Sequence, residues 1–176
     1  MQIEPAFVEH LMTAALCEAR MAQSTGEVPV GAVVARDGEI IARAHNRVES
    51  LLDCCAHAEI LAIRHASLVT GNWRLDDCTL CVTLEPCSMC IGAIRLARIP
   101  LIIFGASDPS MGAVGSLYDL SQDDRLGPVP RVISGIRSEE SAQLIQGFFR
   151  SRREEKANKQ DDSDSYWELK GSFQAV

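Results

Sequence analysis

The sequence contains no long apolar run. Its longest apolar candidate, residues 99–106, has the length of a strand, whereas a membrane-spanning helix needs roughly 20 residues. A secretory signal peptide is not expected either, because Glu4 and Glu9 interrupt the beginning of the chain and no apolar segment follows a basic one. We therefore expect no membrane partner.

Positive charge is also scarce. The 176 residues carry 17 Lys and Arg against 24 Asp and Glu, a formal net charge of −7, whereas a nucleic-acid-binding domain is usually basic. One segment differs, because residues 146–160 hold five basic and two acidic side chains, a net charge of +3. Such a local basic patch can bind a polyanion in an otherwise acidic protein.

The cysteines do not indicate a disulfide framework. There are seven, an odd number, and Cys54 and Cys55 are adjacent, which favours a reducing compartment. We expect the protein to be cytoplasmic. Cys17 falls on or beside the apolar side of the first predicted helix, so we expect it to be a small buried hydrophobic residue.

Apolar spacing predicts alternating helices and strands. Asp37-Gly38 between two apolar runs is a strong hairpin signal. Pro29 suggests that the strand it belongs to lies at an edge or begins there. The predicted elements are a helix at 5–24, strands at 28–35 and 39–45, a helix at 57–68, a strand at 79–84, a helix ending near 97, strands at 99–106 and 131–134, and a helix from 138 to about 153. This alternation indicates an α/β fold with helices on both faces of the sheet.

Three residues have the spacing of zinc ligands. Cys87 and Cys90 lie at a predicted helix start, so their side chains share one face of its first turn. His57 can be a third ligand, and three protein ligands leave one tetrahedral position open, as catalytic zinc sites do. Glu59 lies two residues after His57, about 200° around a helix. It is better placed to move protons than to bind the same metal.

Other uses of these residues stay open at this point. A Cys-x-x-Cys pair also occurs in redox sites and in structural zinc sites, and Cys78 with Cys81 supplies a second pair for the latter. We discount that second pair because residues three apart on a strand face opposite sides of the sheet. A redox pair alone would leave the histidine and the glutamate unexplained.

His57-Ala58-Glu59 with Pro86-Cys87-Ser88-Met89-Cys90 resembles the signature of the zinc-dependent nucleobase deaminases. Within this cytidine/deoxycytidylate deaminase superfamily, the chain is similar to the bacterial tRNA-specific adenosine deaminases of the wobble position. The matching segments are residues 27–32, 45–46, 83–87, 104–106, 108, 112–116 and 148–150. They cover roughly residues 5–155. The chain departs from the family at Cys54-Cys55, where Pro-Thr is usual, and in its acidic end.

The resemblance implies a three-layer α/β/α fold around a mixed sheet of about five strands. It implies a deaminase domain at residues 1–155 and a polar, acidic tail at 156–176. It further implies one Zn²⁺ per subunit on His57, Cys87 and Cys90, and hydrolytic deamination of adenosine to inosine by zinc-bound hydroxide. Glu59 is the implied proton shuttle.

The resemblance also implies how the substrate is held. Asn46 corresponds to a residue that hydrogen-bonds the flipped base, and Val28 and Pro29 correspond to walls of the base pocket. Asp108 corresponds to a residue that contacts a neighbouring ribose hydroxyl. The residues implied for binding the anticodon stem-loop of tRNA are Phe148, Phe149, Arg150, Arg152 and Arg153. A homodimer is implied as well.

Two competing functions remain. A deaminase of free guanine, cytosine or nucleosides would use the same zinc chemistry, and the RNA-binding end and Asp108 separate it from a tRNA enzyme. A non-catalytic zinc-binding subunit would keep the metal ligands too. Such a chain often lacks the proton shuttle, which Glu59 supplies here.

Overall fold

The computed structural model describes the backbone of residues 4–171 and the side chains of residues 4–157. Helices and strands alternate along the chain, as the apolar spacing predicts. In order, the elements are α1 (Pro5–Ser24), β1 (Gly31–Arg36), β2 (Glu39–His45), α2 (Val48–Leu51), α3 (Ala58–Thr70), β3 (Cys78–Leu84), α4 (Ser88–Leu96), β4 (Leu101–Ala106), a 3-10 turn (Asp124–Leu126), β5 (Arg131–Ile133) and α5 (Ser138–Gly171).

The strands form one mixed sheet in the order β2-β1-β3-β4-β5. Strand β1 pairs antiparallel with β2 and β3, whereas β4 pairs parallel with β3 and β5. The hairpin between β1 and β2 turns at Asp37 and Gly38, which have φ angles of 51° and 85°. Two positive φ angles characterise the type I′ turn that the Asp-Gly pair predicts.

Each face of the sheet buries its own apolar cluster, so the chain has three layers. Helix α1 packs on one face and helices α3 and α4 pack on the other. Strand residues facing α1 include Val33, Ala35, Cys81 and Ile103, and those facing α3 and α4 include Ala32, Val34, Leu80, Val82, Ile102 and Phe104. The predicted α/β/α architecture with five strands is confirmed.

Helix α1 lies very close to the sheet at Gly31. A Cβ atom at this position would lie 2.0 Å from the backbone oxygen of Ala15 and 2.4 Å from the nitrogen of Ala19. Any larger residue would push α1 away from β1, since both contacts are with backbone. The glycine therefore sets the distance between this layer and the sheet.

Three local predictions differ from the structure. Strand β1 begins at Gly31 instead of residue 28, and it is an inner strand, which proline cannot enter because it lacks an N–H donor. Cys17 is exposed, not buried. It follows the fully buried Leu16, and one residue turns a helix by about 100°. Helix α5 continues beyond residue 153 to Gly171, and residues 154–160 are mostly Glu, Lys, Gln and Ala, which favour helix without an apolar pattern.

The chain divides into two compact units, Met1–Ile145 and Gln146–Val176. The first contains the whole sheet and helices α1 to α4, and the second contains most of α5. The domain boundary predicted at residue 155 stays a prediction. Within residues 4–171, no helix combines the length and the apolar character needed to cross a membrane.

Candidate metal centre and active site

Two helix N-termini carry the candidate metal ligands. His57 is the residue before α3 and Cys87 the residue before α4, and each keeps an extended backbone. Their carbonyl groups accept the first helical hydrogen bonds, from Leu61 at 3.0 Å and from Ile91 at 2.9 Å. Cys90 is the third residue of α4. Cys87 and Cys90 therefore occupy the N-cap and N3 positions of α4, which lie on the same side of its first turn.

The three ligand atoms have the separations of a tetrahedral zinc site. His57 Nδ1 lies 3.7 Å from Cys87 Sγ and 3.5 Å from Cys90 Sγ. Zinc–sulfur and zinc–nitrogen bonds of usual length at a tetrahedral angle separate these atoms by about 3.6 Å. Among the described side chains, no fourth Cys, His, Asp or Glu joins this cluster. The donor set thus fits zinc with one position left for water or substrate.

The pKa values of the three candidate ligands are shifted in different directions. A hydrogen bond from the Cys90 thiol, helped by one with His57, outweighs burial, which acts in the opposite direction, and leaves the pKa of Cys87 at about 4, far below its usual value. The same pairing, with burial, raises the pKa of Cys90. The contact with Cys87 raises the pKa of His57. A bound cation would take the place of the protons that the sulfurs and the imidazole now share.

Glu59 is a buried carboxyl group beside this cluster. It is the second residue of α3 and is only 4% exposed. Burial raises the pKa of Glu59 to about 7, although the positive charge of His57 opposes the shift. A carboxyl group with such a pKa can both accept and return a proton at neutral pH, which is what a proton shuttle requires.

The rival cysteine pair lies away from the cluster. Cys78 packs in the apolar cluster under α3 and α4, whereas Cys81 packs on the opposite face under α1. Burial raises the pKa of Cys78 to about 12 and also raises the pKa of Cys81. These two thiols cannot bind one ion, as predicted from their places on a strand.

A family model supports the same chemistry. The model of the cytidine and deoxycytidylate deaminase zinc-binding region matches residues 6–106, a span that contains His57, Glu59, Cys87 and Cys90. The chain belongs to this deaminase family. The predicted membership of the zinc-dependent deaminase superfamily is thereby confirmed.

Three individual proteins illustrate which deaminases the chain is similar to. The tRNA-specific adenosine deaminase of Bacillus subtilis is 47% identical over 148 residues, which are 84% of this chain and 92% of the relative. A solved structure from a study of A-to-I editing by tRNA:A34 deaminases at the wobble position is 48% identical with a TM-score of 0.73, covering 77% of this chain and 98% of that one. A guanine deaminase from Bacillus subtilis is 42% identical with a TM-score of 0.54, covering 56% and 64%.

Backbone hydrogen bonds bring Asn46 close to the metal-binding segment of this deaminase. The Asn46 N–H donates to Val30 at 3.0 Å, and the next N–H, of Arg47, donates to Ala56 at 3.0 Å. Ala56 directly precedes His57. Pro29 is buried and Val28 is half-buried on the segment that Asn46 joins. The segments that carry the sequence-predicted base-pocket residues are thus hydrogen-bonded to each other and to the residue before His57.

Glu27 is a buried residue to which the sequence patterns assign no role. It is 1% exposed and accepts hydrogen bonds from Asn46 Nδ2 at 3.1 Å and from the N–H groups of Glu49 and Ser50 at 3.2 and 2.7 Å. Burial alone would raise the pKa of Glu27, but these donors outweigh it and hold the pKa below its usual value. The carboxylate therefore anchors both the Asn46 side chain and the short helix α2.

Glu85 performs a similar task beside Cys87. Its carboxylate accepts bonds of 3.0 Å from the N–H groups of Asp108, Val114 and Ser116, and a further bond from the Ser116 hydroxyl. The loop after β4 is thereby tied to the end of β3. For both glutamates the signal in the sequence is an acidic residue flanking an apolar strand segment, since a buried charge needs partners.

The loop after β4 is also close-packed against the cysteine motif. The N–H of Ala113 donates to Pro86 at 2.9 Å. A Cβ atom at Gly112 would lie 2.5 Å from the Glu85 carboxyl carbon and from the Asp108 backbone oxygen. The Asp108 carboxylate accepts from the N–H groups of Ser110 and Met111 at 2.9 and 3.2 Å. Asp108 is thus held in a fixed turn near the residue that precedes the first cysteine ligand.

The predicted RNA-binding residues of α5 form a local cluster in the second unit. The rings of Phe148 and Phe149 meet edge to face with centroids 5.4 Å apart, and the Arg152 guanidinium lies 5.5 Å from the Phe148 centroid. Phe148 is buried and Phe149 is 44% exposed. Arg150, Arg152 and Arg153 are all exposed. The structure thus places Arg152 and Phe149 against Phe148, and for Arg150 and Arg153 it shows exposure on the same helix.

Proposed function

We propose that this deaminase hydrolyses adenosine to inosine at the wobble position of tRNA anticodons, with water consumed and ammonia released. The observation that carries the proposal is the 47% identity to a tRNA-specific adenosine deaminase over 92% of that relative. The structural match to a tRNA:A34 deaminase, which covers 98% of that chain, agrees with it. A guanine deaminase structure matches a smaller share of the chain, so free-base deamination is the less favoured function.

We propose that His57, Cys87 and Cys90 hold one zinc ion per chain. When bound, zinc lowers the pKa of water toward about 7 and so supplies a nucleophile at neutral pH. The Glu59 carboxylate takes a proton from the water that adds at C6 of adenine and delivers it to the ring nitrogen N1. Glu59 then takes the proton of the new C6 hydroxyl and delivers it to the exocyclic amine, which leaves as ammonia while the C6 carbonyl of inosine forms.

Around this centre, we propose that Asn46 hydrogen-bonds the flipped base while Val28 and Pro29 wall its pocket. The bond to Glu27 supports this role, because it fixes the orientation of the Asn46 amide. Asp108 is proposed to contact the ribose hydroxyl of the neighbouring nucleotide, a contact that separates RNA from DNA. The hydrogen bonds that hold the turn at Asp108 keep its backbone in place for such a contact.

Glu27→Gln should raise the KM for tRNA and lower stability. Glutamine keeps the shape but presents an NH₂ group to donors that now bond a carboxylate, and each buried donor left unpaired costs about 1–3 kcal/mol. Steady-state kinetics and urea unfolding measure the two effects. The matched control is Glu39→Gln, at an exposed position that begins β2. If both parameters match the control, Glu27 does not position Asn46.

We propose that the cluster on α5 binds the anticodon stem-loop through phosphates. The double substitution of Arg152 and Arg153 by Ala should weaken tRNA binding. It should also reduce the slope of log K against log salt by about 0.7–0.9 for each phosphate that the variant no longer neutralises. The matched control is Arg74→Ala, because Arg74 also lies over an aromatic ring, that of Trp73, at 4.7 Å. Unchanged affinity in the double variant would remove α5 from the RNA surface.

The function itself is tested by mass spectrometry of an anticodon stem-loop transcript incubated with purified, zinc-loaded protein. Conversion of the wobble adenosine to inosine raises its mass by about one dalton, since an amine is replaced by an oxygen. Free guanine, cytosine and adenosine are tested in parallel. Turnover of free bases without turnover of the transcript would overturn the proposal.

The assembly and the domain limits are proposals as well. We propose a homodimer, which sedimentation of the zinc-loaded chain would detect as twice the mass of one chain. We also propose that residues 1–155 form the deaminase domain and residues 156–176 an acidic tail. The four acidic residues Asp161, Asp162, Asp164 and Glu168 lie beyond residue 155, and they support the assignment of an acidic tail.

A further inference from the structure

A pair of exposed thiols lies on the loop between α2 and α3. Cys54 and Cys55 occupy the middle of a turn that the N–H of Ala56 closes by donating to the Asp53 carbonyl at 3.0 Å. The Asp53 side chain accepts from the Cys55 N–H at 2.8 Å, which braces the same turn. In an extended chain, adjacent side chains point in opposite directions. This turn instead brings the two sulfurs to 4.0 Å from each other.

The three side chains of this turn form a set of metal donors. One ligand atom from each of Asp53, Cys54 and Cys55 lies within 4.8 Å of the others. Two thiolates on a tetrahedral ion of usual zinc–sulfur bond length are about 3.8 Å apart, close to the observed 4.0 Å. The turn can therefore hold an ion between its sulfurs with a small movement. Both cysteines are exposed, so an ion can reach them.

We infer that Asp53, Cys54 and Cys55 form a second, surface site for a thiophilic divalent cation such as Cd²⁺ or Zn²⁺. Thiolate ligands select soft cations over Mg²⁺ or Ca²⁺, which prefer oxygen. Binding releases the two thiol protons and forms two metal–sulfur bonds and one metal–oxygen bond, without any redox step. The site shares no ligand with the buried cluster of His57, Cys87 and Cys90.

The surface site is connected to the active site through the backbone. The N–H of His57 donates to the Cys55 carbonyl at 2.8 Å, and the N–H of Arg47 donates to Ala56 at 3.0 Å. If the turn closes around an ion, the movement acts on the segment that carries His57. It also acts on Arg47, the residue that follows Asn46. Occupancy of the surface site is thus coupled to the backbone next to the substrate pocket.

The test is a Cd²⁺ titration of the full chain carrying a single zinc per chain, with surface-bound zinc removed beforehand, followed by the ultraviolet charge-transfer absorbance of cadmium–thiolate bonds. We expect one Cd²⁺ per chain to bind while the zinc content stays unchanged. The double variant C54S/C55S should lose this equivalent, and D53N should bind it several-fold more weakly. The matched control C17S, which removes another exposed thiol, should keep it.

Three results would overturn the site. One is retention of the added equivalent by C54S/C55S, which would place the ion elsewhere. Another is release of one zinc for each Cd²⁺ bound, because the cadmium would then occupy the catalytic cluster. The third is unchanged affinity in D53N, which would remove the carboxylate from the ligand set. Since all of the exchanged side chains are on the surface, the variants should fold as the parent does.

Discussion

Glu59→Gln should abolish measurable turnover and leave the zinc bound. A general acid–base residue contributes about 10²–10⁴-fold to a rate, and an amide can neither take the proton from water nor return it to the leaving amine. Glutamine has nearly the same volume, so the buried position at the start of α3 stays filled. Single-turnover inosine formation measures the rate, and elemental analysis should still find one zinc per chain.

Glu139→Gln is the matched control for this experiment. Glu139 and Glu59 both lie in the first turn of a helix, where an acidic side chain interacts favourably with the helix dipole. Glu139 is exposed, and its substitution should leave the rate unchanged. If Glu59→Gln retained activity, the buried carboxyl would have no proton-transfer role. Loss of zinc in that variant would assign it to holding the metal instead.

Cys90→Ala should lose both the zinc and the activity. It removes one of three protein ligands, and the remaining His57 and Cys87 cannot complete a catalytic zinc site, which uses three. It also removes the thiol whose hydrogen bond lowers the pKa of Cys87. Zinc content by elemental analysis and inosine formation should therefore fall together, and added zinc should not restore the rate.

The other Cys-x-x-Cys pair offers the control. Cys78→Ala changes the same residue type in the same spacing, but at a buried place in the apolar cluster under α3 and α4. It should keep its zinc and its rate. It should lose only about 1 kcal/mol of unfolding free energy, the scale for removing a small apolar group from a core. Zinc loss in Cys78→Ala would contradict the separation of the two pairs.

Part of the metal cluster can be predicted from the sequence, because its two cysteines are close to each other in the chain. The Cys-x-x-Cys spacing places Cys87 and Cys90 on one turn wherever a helix begins at Ser88. Joining them to His57, which lies 30 residues away, needs the spacing to Glu59 and a resemblance to a known family. Residue type and local spacing thus predict the candidate ligands, and the family resemblance predicts that His57 lies beside the two cysteines.

The anchoring glutamates cannot be predicted in the same way. Glu27 bonds residues 19 to 23 positions further along the chain, and Glu85 bonds residues 23 to 31 positions away. No periodic pattern indicates contacts of that separation. Helix α2 is not predicted for the same reason. The N–H groups of Glu49 and Ser50 in its first turn donate to the distant Glu27 carboxylate and not to a local cap.

The errors on the helices have a different origin. The predicted burial of Cys17 rests on an apolar pattern that places it at the edge of the buried stripe, where one residue of rotation decides exposure. The predicted end of α5 lies where the apolar pattern ends, although charged residues with good helix propensity continue a helix without one. Apolar spacing thus locates buried faces better than it locates their edges or the ends of helices.

His57 and Cys87 each precede a helix, and a metal bound to both therefore affects the stability of the fold. A metal bound by His57 and Cys87 is a cross-link between the N-termini of α3 and α4, segments whose ligands are 30 residues apart in the chain. Because a ligand that binds only the folded state stabilises it by mass action, the melting temperature should rise with the free zinc concentration. Zinc supply would then influence the fraction of chains that are folded as well as the rate of catalysis.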